Sequence, residues 1–241
     1  MNLCLPKAML IDLDDTILDD SSNVNSAWEE ACKLADLPQQ PLLSTVHEVR
    51  DWYWSDAARH REGRADLRAA SARIVDIALE RLGHRQDGLA RRISDRYRDL
   101  REEGIVPLPG AVETLQELQD RNIALALVTN GAGALQRTKI ERFNLAGYFG
   151  HIQIEGEFGL GKPAPEVYQA TMRVMGVAPQ ESWFVGDNLE FDVAAPQVLG
   201  LKGVWVDRAG MGVPVGSSAL PDAIIGGLPD LRRLLPPDAK A

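Results

Sequence analysis

The stretch Ala8-Met9-Leu10-Ile11-Asp12-Leu13-Asp14-Asp15-Thr16 sets four apolar residues directly before a run of acids. A short apolar run of this kind reads as a strand buried on both faces, as parallel sheets require. The acids then stand at its carboxyl end, where open α/β sheets bind their ligands.

Beyond a polar stretch, Asp15 to Asn25, the texture becomes helical. Asn25–Leu37, Leu42–His60, Ala65–Leu82 and Gly88–Glu103 each space apolar residues three and four apart among charges, so four helices are predicted. Trp28, Trp52 and Trp54 fall in this region. A Pro/Gly cluster, Val106-Pro107-Leu108-Pro109-Gly110, ends it. Strands and helices then alternate. Helix Ala111–Arg121, strand Ile123–Thr129, helix Ala134–Phe143 and strand His151–Ile154 come first. Helix Glu166–Met175, strand Ser182–Gly186, helix Leu189–Leu199 and strand Gly203–Asp207 follow, with strand Ala223–Ile225 and helix Leu228–Leu235 last. Such alternation predicts a doubly wound parallel α/β sheet, Rossmann-like, with helices on both faces. Residues 19–106 are too long for a loop. They are expected to form a helical domain inserted after the first strand, with 1–18 and 107–241 as the core domain.

The chain has 241 residues, 45% hydrophobic and 25% charged, enough for a core without disulfides or a structural metal. Its 26 basic residues against 35 acidic ones exclude a nucleic-acid polymer as partner, which needs a clustered basic face. Small anions remain compatible, because a few local cations and a metal can reverse the potential within one cleft. Cys4 and Cys32 form no CxxC or Cys/His cluster and are expected to be reduced thiols. The first ten residues lack the pattern of a signal peptide. No run approaches the ~20 apolar residues of a membrane span, so a cytoplasmic protein is expected.

The acids after the first strand do not stand alone. Thr129-Asn130-Gly131 ends the strand after the insert, and Gly186-Asp187-Asn188 ends a later one, with Glu190 and Asp192 close behind. Lys162 stands in the loop Gly159-Leu160-Gly161-Lys162-Pro163. Each item has an ordinary explanation: a helix cap, a turn, a solvated lysine. Together they crowd like charges that would raise one another's pKa unless a cation sat among them. A hard divalent ion with oxygen ligands, most simply Mg²⁺, resolves the conflict.

Three other motifs fail on inspection. Gly156 to Lys162 begins like a phosphate loop, but Pro163 lacks the required hydroxyl and Pro165 delays the helix. Gly131-Ala132-Gly133 opens like a dinucleotide fingerprint, yet Gln136 replaces its third glycine. Asp12-x-Asp14-x-Thr16 starts like a calcium loop, with Ile17 where glycine is needed and Asn23 where the bidentate acid belongs.

In this order the motifs resemble those of the haloacid dehalogenase superfamily, in its C1-capped phosphatase branch. LIDLDDTIL resembles the DxDxT nucleophile motif, and LVTNG the second motif. GLGKPAPEVY resembles the third and VGDNLEFDV the fourth. The helical insert lies where that branch carries its cap.

The resemblance implies a mechanism. Asp12 attacks phosphorus to form an aspartyl-phosphate, which water then hydrolyses. Asp14 gives a proton to the leaving alkoxide and later takes one from that water. Thr16, Thr129, Asn130, Gly131 and Lys162 hold the phosphoryl group. Mg²⁺ is held by Asp12, the backbone carbonyl of Asp14 and Asp187, with Asp192 either a further ligand or the partner that orients the ligands or Lys162. Pro196 departs from the family's usual proline-free helix and is expected only to shift its boundary.

The function expected is hydrolysis of a small phosphorylated metabolite, a nucleotide, sugar phosphate or similar monoester. Phosphomutases and haloacid dehalogenases share the scaffold, and a non-catalytic phospho-acceptor module also places Asp at strand ends. As the family is read, its dehalogenases lack an acid at the position of Asp14; the insert and Lys162 count against the acceptor module. The texture is most similar to the branch of pyrimidine nucleotidases, N-acylneuraminate phosphatases and flavin-mononucleotide phosphatases. Specificity is expected from the cap. There Arg50, Trp52, Tyr53, Trp54, Arg59, His60, Arg61 and Arg64 read either as a stacking and cationic surface or as core plus a solvated face.

Overall fold

A run that is apolar throughout can be satisfied only between neighbours on both edges and cover on both faces. Ala8–Ile11 forms such a strand, β1, with every residue buried. The coordinates are a computed structural model and describe residues 5–235. The chain divides into two compact units, one of residues 1–19 and 106–241, the other of residues 20–105.

In the first unit, β2 (Leu18–Asp19) pairs antiparallel with β3 (Val106–Pro107), where the Pro/Gly cluster begins. The second unit, which lies between them in sequence, holds α1 (Val24–Cys32), α2 (Gln39–Trp54), α3 (Ala57–Ala65), α4 (Leu67–Arg81) and α5 (Leu89–Glu103). The first unit then continues with α6 (Ala111–Asp120), β4 (Ala124–Thr129), α7 (Gly133–Arg142), β5 (His151–Ile154), α8 (Glu155–Phe158) and α9 (Pro165–Met175). It closes with β6 (Ser182–Gly186), α10 (Ala195–Val198), β7 (Lys202–Val206) and β8 (Ala223–Ile225).

All six strands of the main sheet run parallel in the order β5-β4-β1-β6-β7-β8. Leu10, Ala126, Val128 and Phe184 cluster with Val167, Tyr168 and Met172 of α9. The alternate residues Met9, Ile11, Leu127 and Val185 are also buried, which gives these strands their unbroken apolar sequence. Helix α9 takes Pro165 in its first turn and stops at Gly176, whose positive φ of 66° costs least in glycine.

The second unit has its own core, with Trp28, Leu42, Val46, Val49, Ile74, Leu89 and Ile93 among its buried residues. Trp28 stacks on Tyr97 at 3.6 Å between centroids. Five helices replace the four predicted. The expected helix Leu42–His60 ends at Trp54, because Asp56 accepts from the backbone N–H groups of Ala58 and Arg59 and starts a new one. Asp66 likewise caps α4 through Ala69. Apolar periodicity runs through such capped breaks without a mark.

Tyr53 is buried as a core residue, but Trp52 stays 44% exposed. Arg59 stacks on the Trp52 ring at 3.9 Å and donates to the carbonyls of Trp52 (2.7 Å) and Tyr53 (3.2 Å), so it closes the end of α2. Arg50 is paired with Asp51. The side chains of His60 and Arg61, and all of Cys4, lie outside the described residues; Cys32 is a free, buried thiol.

Two of the helices expected in the first unit depart from regular α form. Leu228–Arg233 is a 3₁₀ helix, and the expected helix Leu189–Leu199 opens as a π-helical turn, Leu189–Ala194, before α10. Pro196 sits in the first turn of α10, where a missing N–H costs little. Among the described residues no helix is long and apolar enough to cross a membrane.

Candidate active site

Strand order assembles the site. Because β4 and β6 flank β1, Ile11 is level with Leu127 on one side and Val185 on the other. Asp12, Thr129 and Asp187 therefore emerge at three neighbouring strand ends, the crevice where open sheets hold ligands. The backbone N–H of Asp12 still donates to Val185 O, 3.0 Å away, which fixes its height. Past Asp12 the chain closes in one tight turn, with Ile17 N and Leu18 N both donating to Leu13 O.

Lys162 joins two of the acids. Its Nζ donates to Asp12 Oδ1 and to Asp192 Oδ1, each at 2.7 Å, and all three side chains are buried. The π-helical turn carries Asp192 inward. Its Oδ2 accepts from Asn188 N at 3.0 Å, while Asn188 Oδ1 caps the turn through Glu190 N and Phe191 N. Gly186 is required here, since a Cβ would run into the Asp192 carboxylate.

The carboxylates of Asp12, Asp187 and Asp192 offer oxygens within 4.8 Å of one another, with Lys162 the ammonium among them. Burial raises the Asp12 carboxyl well above the usual range; Asp192 and Asp187 add to this and Lys162 opposes it. Asp187 is pushed up to about 7, first by burial and then by Asp192 and Asp15. For Lys162, burial works against the charge, but Asp12 and Asp192 outweigh it and hold the ammonium above its ordinary range. Crowded, desolvated carboxylates that resist ionisation are the donor set a hard divalent cation fits. Since both Asp192 oxygens are already engaged, Asp12 and Asp187 are the better-placed donors.

The phosphate-binding candidates are deployed unequally. Thr129 Oγ1 accepts from Gln136 Nε2 at 2.7 Å. The Asn130 amide is spent on Lys162: Nδ2 donates to Lys162 O at 2.8 Å, and Oδ1 accepts from Lys162 N at 2.7 Å. Asn130 thus clamps the lysine loop onto the end of β4. The N–H of Gly131 donates to Glu155 Oε2 at 2.8 Å. Thr16 is fully buried and its hydroxyl has no partner among the described residues. Asp14 accepts from two side chains of α7, Lys139 Nζ at 2.7 Å and Gln136 Nε2 at 2.9 Å.

Sequence reading passed over Gln136, Lys139, Glu155 and Arg208. Arg208 pairs with Asp15 at 2.6 Å and Asp19 at 3.1 Å. Gln136 and Lys139 lie on the expected helix Ala134–Phe143 and Glu155 directly after strand His151–Ile154, and nothing in their spacing marks them. One signal was available: Gln136 is a polar residue that recurs on the buried side of α7 with Ile140.

The model of haloacid dehalogenase-like hydrolases matches residues 6–200. A phosphoserine phosphatase of Thermus thermophilus is 33% identical over 244 residues, covering 92% of this chain and 96% of its own. An N-acylneuraminate-9-phosphatase of Rattus norvegicus is 28% identical over 258 residues, covering 98% and 96%. Among solved structures, a HAD-hydrolase from Bacillus subtilis bound to magnesium has a TM-score of 0.73 at 23% identity, covering 95% of this chain and 97% of that one.

Proposed function

The chain belongs to the haloacid dehalogenase-like hydrolase family, and from that premise we propose that it is a Mg²⁺-dependent phosphatase of small phosphate monoesters working through Asp12. The observation that carries the reading is the buried Asp12–Lys162–Asp192 chain beside Asp187. A carboxylate so placed is a nucleophile with its charge partner already in position.

Asp12 attacks phosphorus, the bond from phosphorus to the leaving oxygen breaks, and Asp14 supplies the proton that oxygen needs. Lys162 and the Thr129 hydroxyl stabilise the phosphoryl oxygens as they change geometry, while Asn130 keeps the lysine loop in place. Water then attacks the aspartyl-phosphate, Asp14 takes its proton, and phosphate leaves with Asp12 restored. Asp12 and Asp187 would hold Mg²⁺, which when bound neutralises charge between nucleophile and phosphate. Asp192 orients Lys162.

The named relatives support a small phosphorylated metabolite as substrate. The helical unit is assigned the role of a cap that selects among esters, and the free Cys32 thiol supports a cytoplasmic setting. The test is Mg²⁺-dependent phosphate release from p-nitrophenyl phosphate. Asp12→Ala should reduce it to background, and retained turnover in that variant overturns the assignment. A panel of phosphorylated metabolites then identifies the ester.

A further inference from the structure

The helical unit treats its arginines unequally. Arg50, Arg98 and Arg101 lie about one aromatic stack, Trp28 on Tyr97, and all three oppose the burial that raises the Tyr97 phenol. Arg50 is committed: Nη2 and Nε meet Asp51 Oδ1 at 2.8 and 2.9 Å, and Nη1 donates to Asn25 Oδ1 at 3.2 Å. Arg101 is committed as well, with Nη2 2.9 Å from Asp20 Oδ2 and Nη1 donating to Asn23 Oδ1. Arg98 differs from both. Its guanidinium carbon lies 6.0 Å from the centre of the Tyr97 ring, and among the described residues it makes neither a hydrogen bond nor an ion pair.

Water does not make up the difference. Arg98 is only partly exposed, and its Nε is sealed from solvent. Burial pulls the guanidinium below its ordinary range, although Tyr97, Glu102 and Asp20 act the other way. Acids are not scarce on this helix, since Arg91 and Arg96 of α5 have carboxylates at 2.9 and 3.7 Å. Two further sealed donors of the same cluster, Arg101 Nε and Trp28 Nε1, lack acceptors among the described residues. Buried donors without acceptors are costly, and a shielded cation without a counter-charge is more so. The missing partner is therefore an acceptor that carries negative charge. A guanidinium fork matches the paired oxygens of a carboxylate or a phosphoryl group.

We propose that the helical unit carries an oxyanion-binding site at Arg98, beside the Trp28–Tyr97 stack, that takes a carboxylate or phosphoryl group. The anion pairs with Arg98 as Asp51 pairs with Arg50 and Asp20 with Arg101. The two rings supply a wall of low polarity, against which a charge-assisted pair is stronger than in water. The group belongs either to the phosphate ester, as a second acid, or to a separate small molecule. The site itself is independent of the reaction assigned to Asp12.

Calorimetric titration of the metal-free full chain with malonate measures it. Wild type should bind saturably. Arg98→Met, which keeps the stem against Tyr97, should weaken binding at least tenfold through loss of one charge-assisted pair. Arg98→Lys should fall between the two, because it keeps the charge and loses the fork. Without malonate the Met variant should melt no lower than wild type, and malonate should raise the melting temperature of wild type alone. A guanidinium that merely packs on Tyr97 predicts the reverse, a less stable variant with the same response to malonate. Arg98→Gln carries the comparison if the Met variant does not fold. No saturable binding in wild type, or equal affinity in the variants, overturns the proposal.

Turnover of 4-carboxyphenyl phosphate and phenyl phosphate then assigns the source. If Arg98→Met raises KM at least tenfold for the first ester and leaves the second unchanged, the anion is the substrate's own. If malonate binding is lost while both KM values hold, the site serves a separate ligand. Either result supports the site. A wild-type protein that hydrolyses no ester defeats the phosphatase reading and leaves the malonate result standing.

Discussion

Replacing Lys162 with methionine keeps the stem of the side chain as far as Cε and removes the cation from between Asp12 and Asp192. In the native protein Nζ is 2.7 Å from each carboxylate, and the Lys162 and Asp192 side chains are 3% and 1% exposed. The variant leaves two desolvated acids facing each other without a counter-charge. Breaking a buried pair in this way costs about 3–5 kcal/mol, because the remaining charge must stay unpaired or take up a proton. At ~2–4 °C of melting temperature per kcal/mol for chains of 150–250 residues, the core unit should melt roughly 6–20 °C lower. Calorimetry in a chelating buffer is the assay, since a divalent cation held by the same carboxylates would compensate. Adding Asp192→Asn to Lys162→Met removes one of the stranded charges and should recover part of the loss. The double variant should therefore be more stable than the sum of the single effects. A shift under ~2 °C in Lys162→Met, or strict additivity of the pair, refutes the argument that the three charges form one unit.

Gly186→Ala drives a methyl group into the Asp192 carboxylate. It should cost about 1–3 kcal/mol, as overpacking does, and lower turnover by moving Lys162; an unchanged unfolding midpoint and rate would count against it. Stability should also depend on pH and metal together. With Asp187 raised from 3.8 to about 7, the native state keeps a proton that the unfolded chain has lost between those values. Raising the pH across that window therefore removes native protons and lowers the stability of the metal-free protein. A metal needs the carboxylate, so the rise in melting temperature given by Mg²⁺ should grow from pH 5 to 7 and level off above. A Mg²⁺ effect that is flat across the range would contradict the placement of Asp187 among the ligands.

The sequence by itself determined the strand that carries Asp12, the alternation that makes a parallel sheet, and the acids and lysine that end up at its edge. These are local signals. An unbroken apolar run must be buried on both faces, and an acid directly after it must lie at the strand's carboxyl end. Tertiary structure alone decided that β4 and β6 lie on either side of β1, which turns three separated strand ends into one site. It also decided that Lys162 meets Asp12, 150 positions away, and that Gln136 and Lys139 meet Asp14 from 122 and 125 positions away. Nothing local marks such pairs, because strand order brings them together and a lysine's periodicity does not record which carboxylate it will meet. The capped break at Asp56 and the π turn at Leu189–Ala194 escaped for a related reason. Apolar spacing records which face of a helix is buried, whereas a side chain bonded to backbone amides decides where one helix stops and the next begins.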